Sequence, residues 1–348
     1  CIPRMQGADQ VLREVLPKGS EVPSSFETVG HIAHLNLRDE FLAYKHVIGQ
    51  VILDKNPKLE SVINKVGTID NEFRVFTMEL LAGKDDMETE VRQHGLRFSL
   101  DFSKVYWNSR LEREHERLVE TFKKGEVIAD MMAGIGPFAL PAANKGCLVL
   151  ANDLNPDSVK WMRHNTEQNH LNQRISCFNM CGREFMRKLV RGDLQAEADD
   201  GRKGIVKSTK NRRTGMGGET QEETRMPETL PTYFSHAVMN LPASALEFLD
   251  VFTGLLTPVK ESWGSHPLPF VHCYGFARGP EGEEDLDEVI QRAETAMGMT
   301  MGNNYTIKLV RNDAPNKPMI CLSFQLPEDI AFATEEEREQ KKARRGDK

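Results

Sequence analysis

The sequence has no apolar run approaching the ~20 residues that a helical membrane span requires, and its longest such stretches read as buried strands. It has no CxxC pair either. Its six cysteines are scattered through apolar segments such as CLVL, ISCFNMC, VHCYGF and MICLSF. That pattern argues against a disulfide framework and implies reduced, mostly buried thiols in an intracellular compartment, with no metal centre expected. An excess of positive charge is also missing. The net charge of −7 excludes a uniformly basic surface but leaves local basic patches open. Position 1 is cysteine rather than methionine, so the chain reads as part of a longer protein whose targeting segment would lie upstream. What is present is an ordinary soluble composition, long enough at 348 residues for two cores.

From Val127 onward, apolar strand-like and helix-like segments alternate. VIADMM, CLVLANDL, ISCFNM, HAVMNL and PFVHCYGF read as strands. PFALPAANKG, PDSVKWMRHNTEQN, GREFMRKLV, ALEFLDVFTGLL and DLDEVIQRAETAM read as the helices between them, Pro156 standing at a first-turn position. The alternation predicts a mostly parallel sheet covered by helices on both faces, an α/β fold. YTIKLVR and MICLSFQL are separated only by NDAPNKP. That is too short for a crossover and predicts a C-terminal hairpin with one antiparallel strand.

Residues 28–107 form a second block, a smaller α+β unit. HIAHLNL, SVINKVG and FRVFTMELLAG read as strands, DEFLAYKHVIGQVILDK as a helix, and TEVRQH and LRFSLDF as a hairpin turning at Gly95. Residues 1–27 read as an N-terminal remnant or linker, 108–125 as a linking helix, 126–330 as the sheet domain and 331–348 as a charged tail. Within the sheet domain, 195–231 lacks apolar periodicity and reads as a disordered insertion. Its KSTKNRR core is either an RNA-phosphate contact or simply solvated.

The chemistry starts at DMMAGIGPF, residues 130–138. Gly134-Ile135-Gly136-Pro137-Phe138-Ala139 matches the glycine fingerprint of a dinucleotide-binding turn. Asp130, at the strand end, would repel a diphosphate, and Pro137 removes an N–H that a phosphate would seek. S-adenosyl-L-methionine has complementary chemistry, with a sulfonium, an ammonium and no phosphate. Asp153 closes the next strand, where a carboxylate accepts from both ribose hydroxyls. A packing turn without a ligand is the plain alternative. Further on, HAVMNLPASALEF puts Asn240-Leu241-Pro242 at a strand end over the edge where open α/β sheets bind ligands. There Asn240 can meet an in-plane nitrogenous group and Pro242 can stiffen the turn against a ring, unless NLP simply terminates the strand.

Taken together, FRVFTMELLAG, VRQHGLRFSLDFSKVYWNSRLEREHERL, DMMAGIGPF, NDLNP, NLPASALEFLD and VRNDAPNKPMICLSF resemble the eukaryotic branch of the tRNA guanosine-37 N-1-methyltransferases over roughly residues 28–327. The resemblance implies a class I, Rossmann-like methyltransferase sheet with an RNA-facing smaller domain. The expected partner is tRNA carrying guanosine at position 37, and the expected protein is a monomer of the mitochondrial matrix, nucleus and cytoplasm with no membrane association. It also implies that Glu114 is a general base and that Arg74 stabilises charge on the guanine, with Asn240 beside them. Without the resemblance, Glu114 would read as a solvated helix residue and Arg74 as an exposed strand residue. The implied donor contacts are His115, Asp130, Gly134, Gly136, Asp153, Leu154, Cys181, Gly182, Asn240 and Pro242. Where relatives usually carry Asp-Gly, this chain has Cys181-Gly182, which removes an acceptor for the adenine amino group.

Three rival functions stay open at this point. One is aminocarboxypropyl transfer from the same donor in the wybutosine pathway. The second is a nicotinamide oxidoreductase, which Asp130 and Pro137 disfavour. The third is a catalytically weak tRNA-binding module.

Overall fold

The computed structural model describes residues 7–17, 22–23, 26–67, 73, 75–197, 224–279, 284–314 and 317–337. The chain divides into two compact units, 1–111 and 112–348.

The first unit begins with helix α1 (Ala8–Val15), followed by β1 (Glu27–Val29), β2 (Ile32–Leu35), α2 (Lys45–Lys55), β3 (Ser61–Val66) and β4 (Thr77–Gly83). The four strands form one sheet in sequence order. β2 and β3 run parallel, which requires the crossover that α2 supplies. A separate hairpin pairs β5 (Glu88–Gln93) with β6 (Leu96–Asp101), turning through His94 and Gly95, both at positive φ. Helix α1 falls in the stretch read as a linker. It buries Val11 and Leu12 in a core shared with Leu35, Ile48, Ile52, Val62 and Leu81. Eight residues carry too few periods for sequence to separate a short amphipathic helix from a solvated one.

The second unit opens with α3 (Glu112–Thr121), then β7 (Val127–Asp130), α4 (Ala139–Lys145), β8 (Leu148–Asp153), α5 (Pro156–Gln168), β9 (Ile175–Asn179), α6 (Gly182–Arg191), β10 (His236–Met239), β11 (Phe270–Phe276), α7 (Leu286–Met297), β12 (Tyr305–Ala314) and β13 (Lys317–Gln325). Its seven strands order as β12-β13-β11-β10-β7-β8-β9. β13 is antiparallel to both neighbours, as the short hairpin connection demands. The strand order reverses between β7 and β10, and the carboxyl ends at such a switch point are where open α/β sheets bind ligands.

Three details depart from expectation. ALEFLDVFTGLL is a 3-10 helix over Ala245–Phe252 rather than an α-helix. Leu246, Leu249 and Phe252 recur every third residue and are all buried, the period a 3-10 turn aligns on one face. The insertion is described only at its flanks, its KSTKNRR core lying outside the described residues. Those flanks are packed: Leu230 is buried and its N–H donates to Gln195 Oε1 at 2.8 Å, while Met226 N–H donates to the Gln173 carbonyl. The stretch read as a charged tail starts inside the fold, since Ala331 and Ala333 are buried and their carbonyls accept from Leu256 N–H and the Thr257 hydroxyl.

If α1 belongs to the first unit's core, Leu12→Ala should lower that unit's stability by about 2–4 kcal/mol. Hydrogen exchange at the β2 and β3 amides reads the loss directly. A linker residue would leave their protection unchanged.

Candidate active site at the carboxyl edge of the sheet

Strand β7 delivers Asp130 to the sheet edge, and the glycine turn follows at once. Gly134 (φ +55°) has open space where a Cβ would stand, so the backbone there is free to approach a ligand. Gly136 (φ +100°) has none, because a Cβ would fall 2.1 Å from Leu140 Cδ1. The two glycines therefore answer different constraints: one clears a site and the other packs the turn onto α4.

Three side chains hold the edge in shape. Asn152 is fully buried, and its Nδ2 donates to the carbonyls of Met131 (3.1 Å) and Met180 (2.9 Å) while its Oδ1 accepts from Met180 N–H (3.1 Å). One amide thus ties together the chain leaving β7, β8 and β9. Asp153 Oδ2 accepts from Gly134 N–H at 2.8 Å and Oδ1 from Asn155 N–H at 2.9 Å. Asn179 Nδ2 donates to the carbonyls of Asp153 and Leu154.

The electrostatics at this edge favour a cationic ligand. Asp130 is 0% exposed, and neither of its oxygens has a hydrogen-bond partner of good geometry. Burial foremost, and the nearby Asp153 charge second, push its carboxyl up to about 8, with only the Met132 amide favouring the anion. Burial also raises Asp153, opposed by its two N–H donors. On the neighbouring strand end Asn240 Oδ1 is buried without a partner. Two orphaned acceptors at adjacent strand ends, facing a turn with open space, suit a ligand that brings a positive charge and hydrogen-bond donors.

The rest of the expected donor site frames this crevice. Leu154 is 43% exposed, an apolar face past the end of β8. Cys181 stands at the N-cap of α6 and makes no side-chain capping bond, and Gly182 begins the helix. A Cβ at Gly182 would meet Met131 and Phe248 at ordinary contact distances. The Phe248 ring lies 4.0 Å beneath the Arg183 guanidinium, which is tied to Asp250 at 2.6 Å. Pro242 is half-buried in a turn closed by bonds from Ser244 and Ala245 N–H to the Leu241 carbonyl.

Helix α3 brings in Glu114 and His115, both buried. The His115 ring meets Phe138 of the glycine turn edge-on at 4.7 Å, and Phe138 in turn packs 5.6 Å from Tyr274 of β11. Glu114 is not a solvated helix residue. Arg117 grips it with both arms, Nε to Oε2 at 2.7 Å and Nη2 to Oε1 at 2.5 Å, and the Tyr274 hydroxyl donates to Oε1 at 2.9 Å. Lys308 Nζ stands 3.9 Å from Oε2. Oε2 therefore keeps a lone pair with which to accept a proton. Arg74 lies outside the described residues.

Sequence reasoning did not single out Asn152, Arg117, Tyr274 or Phe248. Asn152 sits inside the NDLNP motif and Phe248 inside NLPASALEFLD. Arg117 and Tyr274 have no local signal, because they matter only through Glu114.

Residues 89–196 match the family described as "TRM5/TYW2 methyltransferase domain", and residues 8–86 that described as "TYW2 N-terminal domain". The chain is 45% identical over 338 residues to a tRNA (guanine(37)-N(1))-methyltransferase of Batrachochytrium dendrobatidis, covering 94% of this chain and 69% of that protein. To the enzyme of that name from Schizosaccharomyces pombe it is 45% identical, covering 94% and 74%, and to the one from Homo sapiens 43%, covering 93% and 58%. The chain thus spans roughly three fifths to three quarters of these relatives. The crystal structure of Trm5b from Pyrococcus abyssi is 27% identical with a TM-score of 0.58, over 87% of this chain and 75% of that one. The fold is also that of the complex of aTrm5 with tRNALeu, TM-score 0.64 at 21% identity, over 94% and 80%. With that site geometry and those relatives, the chain belongs to the tRNA (guanine(37)-N(1))-methyltransferase family.

Proposed function

We propose that this chain transfers a methyl group from S-adenosylmethionine to nitrogen 1 of guanosine 37 in tRNA, beside the anticodon, where the modification supports reading-frame maintenance. The observation that carries the reading is the buried Glu114 carboxylate on the helix whose next residue, His115, abuts the glycine turn. It stands in the same unit as the two orphaned acceptors, Asp130 and Asn240.

The donor supplies an electrophilic methyl group on a sulfonium. Asp130 suits its cationic methionyl end, Asp153 its ribose diol, and Leu154, Gly182 and Phe248 the faces of its adenine. Cys181 offers the adenine amino group only a weak acceptor. Guanine nitrogen 1 carries a proton and is a poor nucleophile until that proton leaves. Glu114 takes it on the free lone pair of Oε2. Arg117 and Tyr274 keep the carboxylate in one orientation, and the phenol stays protonated because burial holds Tyr274 well above its usual range. Negative charge then spreads to O-6, where Arg74 provides paired donors. Asn240 orients the base edge through its amide.

Aminocarboxypropyl transfer is the second reading, favoured by the match of residues 8–86 to a domain named for that branch. Both reactions use the same donor and differ in the carbon attacked. Incubation with tRNA transcripts bearing guanosine or adenosine at position 37, followed by nucleoside mass analysis, separates them. The expected product is 1-methylguanosine from the guanosine transcript alone, and a heavier adduct or none overturns the reading.

Donor binding should depend on pH in a stated direction. Asp130 is protonated below about 8, and holding a cation requires its anion, so binding releases a proton and affinity rises with pH up to that value. Calorimetry should find affinity at pH 6 weaker than at pH 8 by on the order of ten- to a hundredfold, a dependence that Asp130→Asn removes. At fixed pH, Asp153→Ala should cost ~1.5–3 kcal/mol of donor affinity through the lost charged acceptor. Equal affinity in that variant would show that the diol is held elsewhere.

Glu114→Gln should bind donor and tRNA yet slow the single-turnover methyl transfer by the ~10²–10⁴-fold of a missing general base. Arg74→Ala should also slow it, and the two losses should combine less than additively because both act on one proton transfer. A Glu114→Gln protein at the wild-type rate removes the base assignment.

A further inference from the structure

The charges around Glu114 do not balance. Arg117 grips both carboxylate oxygens and by itself offsets the single negative charge. Lys308 adds a second cation, its Nζ 3.9 Å from Oε2, too far for a hydrogen bond. Among the described residues Glu114 is the only ion-pair partner of Lys308. The sheet sets where that lysine stands. Lys308 lies on the edge strand β12 and pairs with Cys321 of β13, which pairs with Tyr274 of β11, so the three side chains share one face. Tyr274 donates to Oε1, and Lys308 comes toward Oε2 from the edge. The Lys308 side chain is 52% exposed, whereas that of Glu114 is 7% exposed.

A half-exposed ion pair adds little to stability, and Arg117 has already satisfied this carboxylate. The surplus charge gains a purpose when the proton moves. Once Oε2 carries the proton from guanine, Glu114 is neutral and the negative charge lies on the base. That charge is shared with O-6, which is bonded to the ring carbon next to nitrogen 1. A cation beside Oε2 therefore stands beside the new anion as well, and a turn of its own flexible chain carries it from one partner to the other.

We propose that Lys308 is a further catalytic residue, the ammonium that follows the negative charge from Glu114 Oε2 to guanine O-6, a role that rests on the function proposed above. The N1–H bond breaks, an O–H bond forms on Oε2, and the electron pair left on nitrogen 1 delocalises onto O-6. Lys308 then donates to O-6 and holds the anion until nitrogen 1 takes the methyl group. Methylation makes the base neutral again, Glu114 returns its proton to water, and the ion pair with Lys308 is restored. Adenine in the same place would turn an amino donor toward the ammonium, so the same residue disfavours adenosine at position 37.

Lys308→Met keeps the length of the side chain and removes its charge, whereas Lys308→Arg keeps a cation. Single-turnover methylation, with S-adenosylmethionine and tRNA both saturating, is followed on tRNAs carrying guanosine or 6-thioguanosine at position 37. The sulfur of the second is a poor acceptor. Lys308→Met should lower the guanosine rate by about a hundredfold, the scale of a lost oxyanion donor, and Lys308→Arg should recover most of it. On 6-thioguanosine the same substitution should cost several-fold less, because the contact that it removes is already weak. A wild-type rate in Lys308→Met overturns the role, and so does a Lys308→Arg protein as slow as Lys308→Met. Equal losses on both tRNAs also overturn it and leave Lys308 acting through Glu114 alone. A loss confined to tRNA affinity, with the saturating rate intact, overturns it in favour of a contact with the RNA backbone. If Glu114→Gln is slow while Lys308→Met is fast, the Lys308 role alone falls; if Glu114→Gln is also fast, the general-base reading falls and the Lys308 role with it.

Discussion

The side-chain amide of Asn152 is the interaction on which the candidate site depends. Parallel strands end with backbone groups that no ladder bond satisfies, and three such ends meet at the edge where a ligand would bind. Asn152 accepts from one N–H and donates to two carbonyls there, which a buried apolar residue cannot do and an aspartate, having only acceptors when ionised, cannot do either. Asp153 extends the same device by holding the Gly134 amide. The glycine turn is thus shaped from the neighbouring strand rather than from within, which lets Gly134 keep open space beside it.

The carboxylates around this edge illustrate how environment assigns roles. Asp130 and Asp153 stand near one another without a cation among the described residues, and both are driven toward the neutral acid. Asp153 is held by two backbone N–H donors, whereas Asp130 is poorly satisfied by the protein alone and well suited to a cationic ligand. Glu114 is the opposite case. Arg117 and Tyr274 satisfy three acceptor positions, so its charge is compensated internally and its geometry is set before any substrate arrives. A carboxylate held in this way has little orientational freedom left to lose, and one lone pair of Oε2 stays open to a proton.

Aromatic packing links these two settings. Phe138 lies between His115 and Tyr274, so ring contacts join the glycine turn, α3 and β11. The 3-10 helix after Asn240 plays a similar part on the other side. Its three-residue apolar period seats Leu246, Leu249 and Phe252 in the core and leaves Phe248 at the crevice under Arg183.

Much of this was legible in the sequence because it is local. Period-two and continuous apolar runs marked the strands of both units, NDAPNKP marked the closing hairpin, and the glycines with Asp130 and Asp153 marked the strand ends and turn of the sheet's carboxyl edge, since strand ends and turns depend on neighbours in the chain. What the tertiary structure decided is what depends on distant partners. The burial of Glu114 comes from Tyr274, 160 residues away in the chain, and the orphaned state of Asp130 and Asn240 comes from what surrounds them rather than from what they are. Helix α1 and the packed flanks of the insertion escaped notice because each is too short to show a period and gains its order only from the core it meets. A residue's type and spacing limit what chemistry it can do; its desolvation and its partners, which only folding sets, decide which of those chemistries it is held ready for.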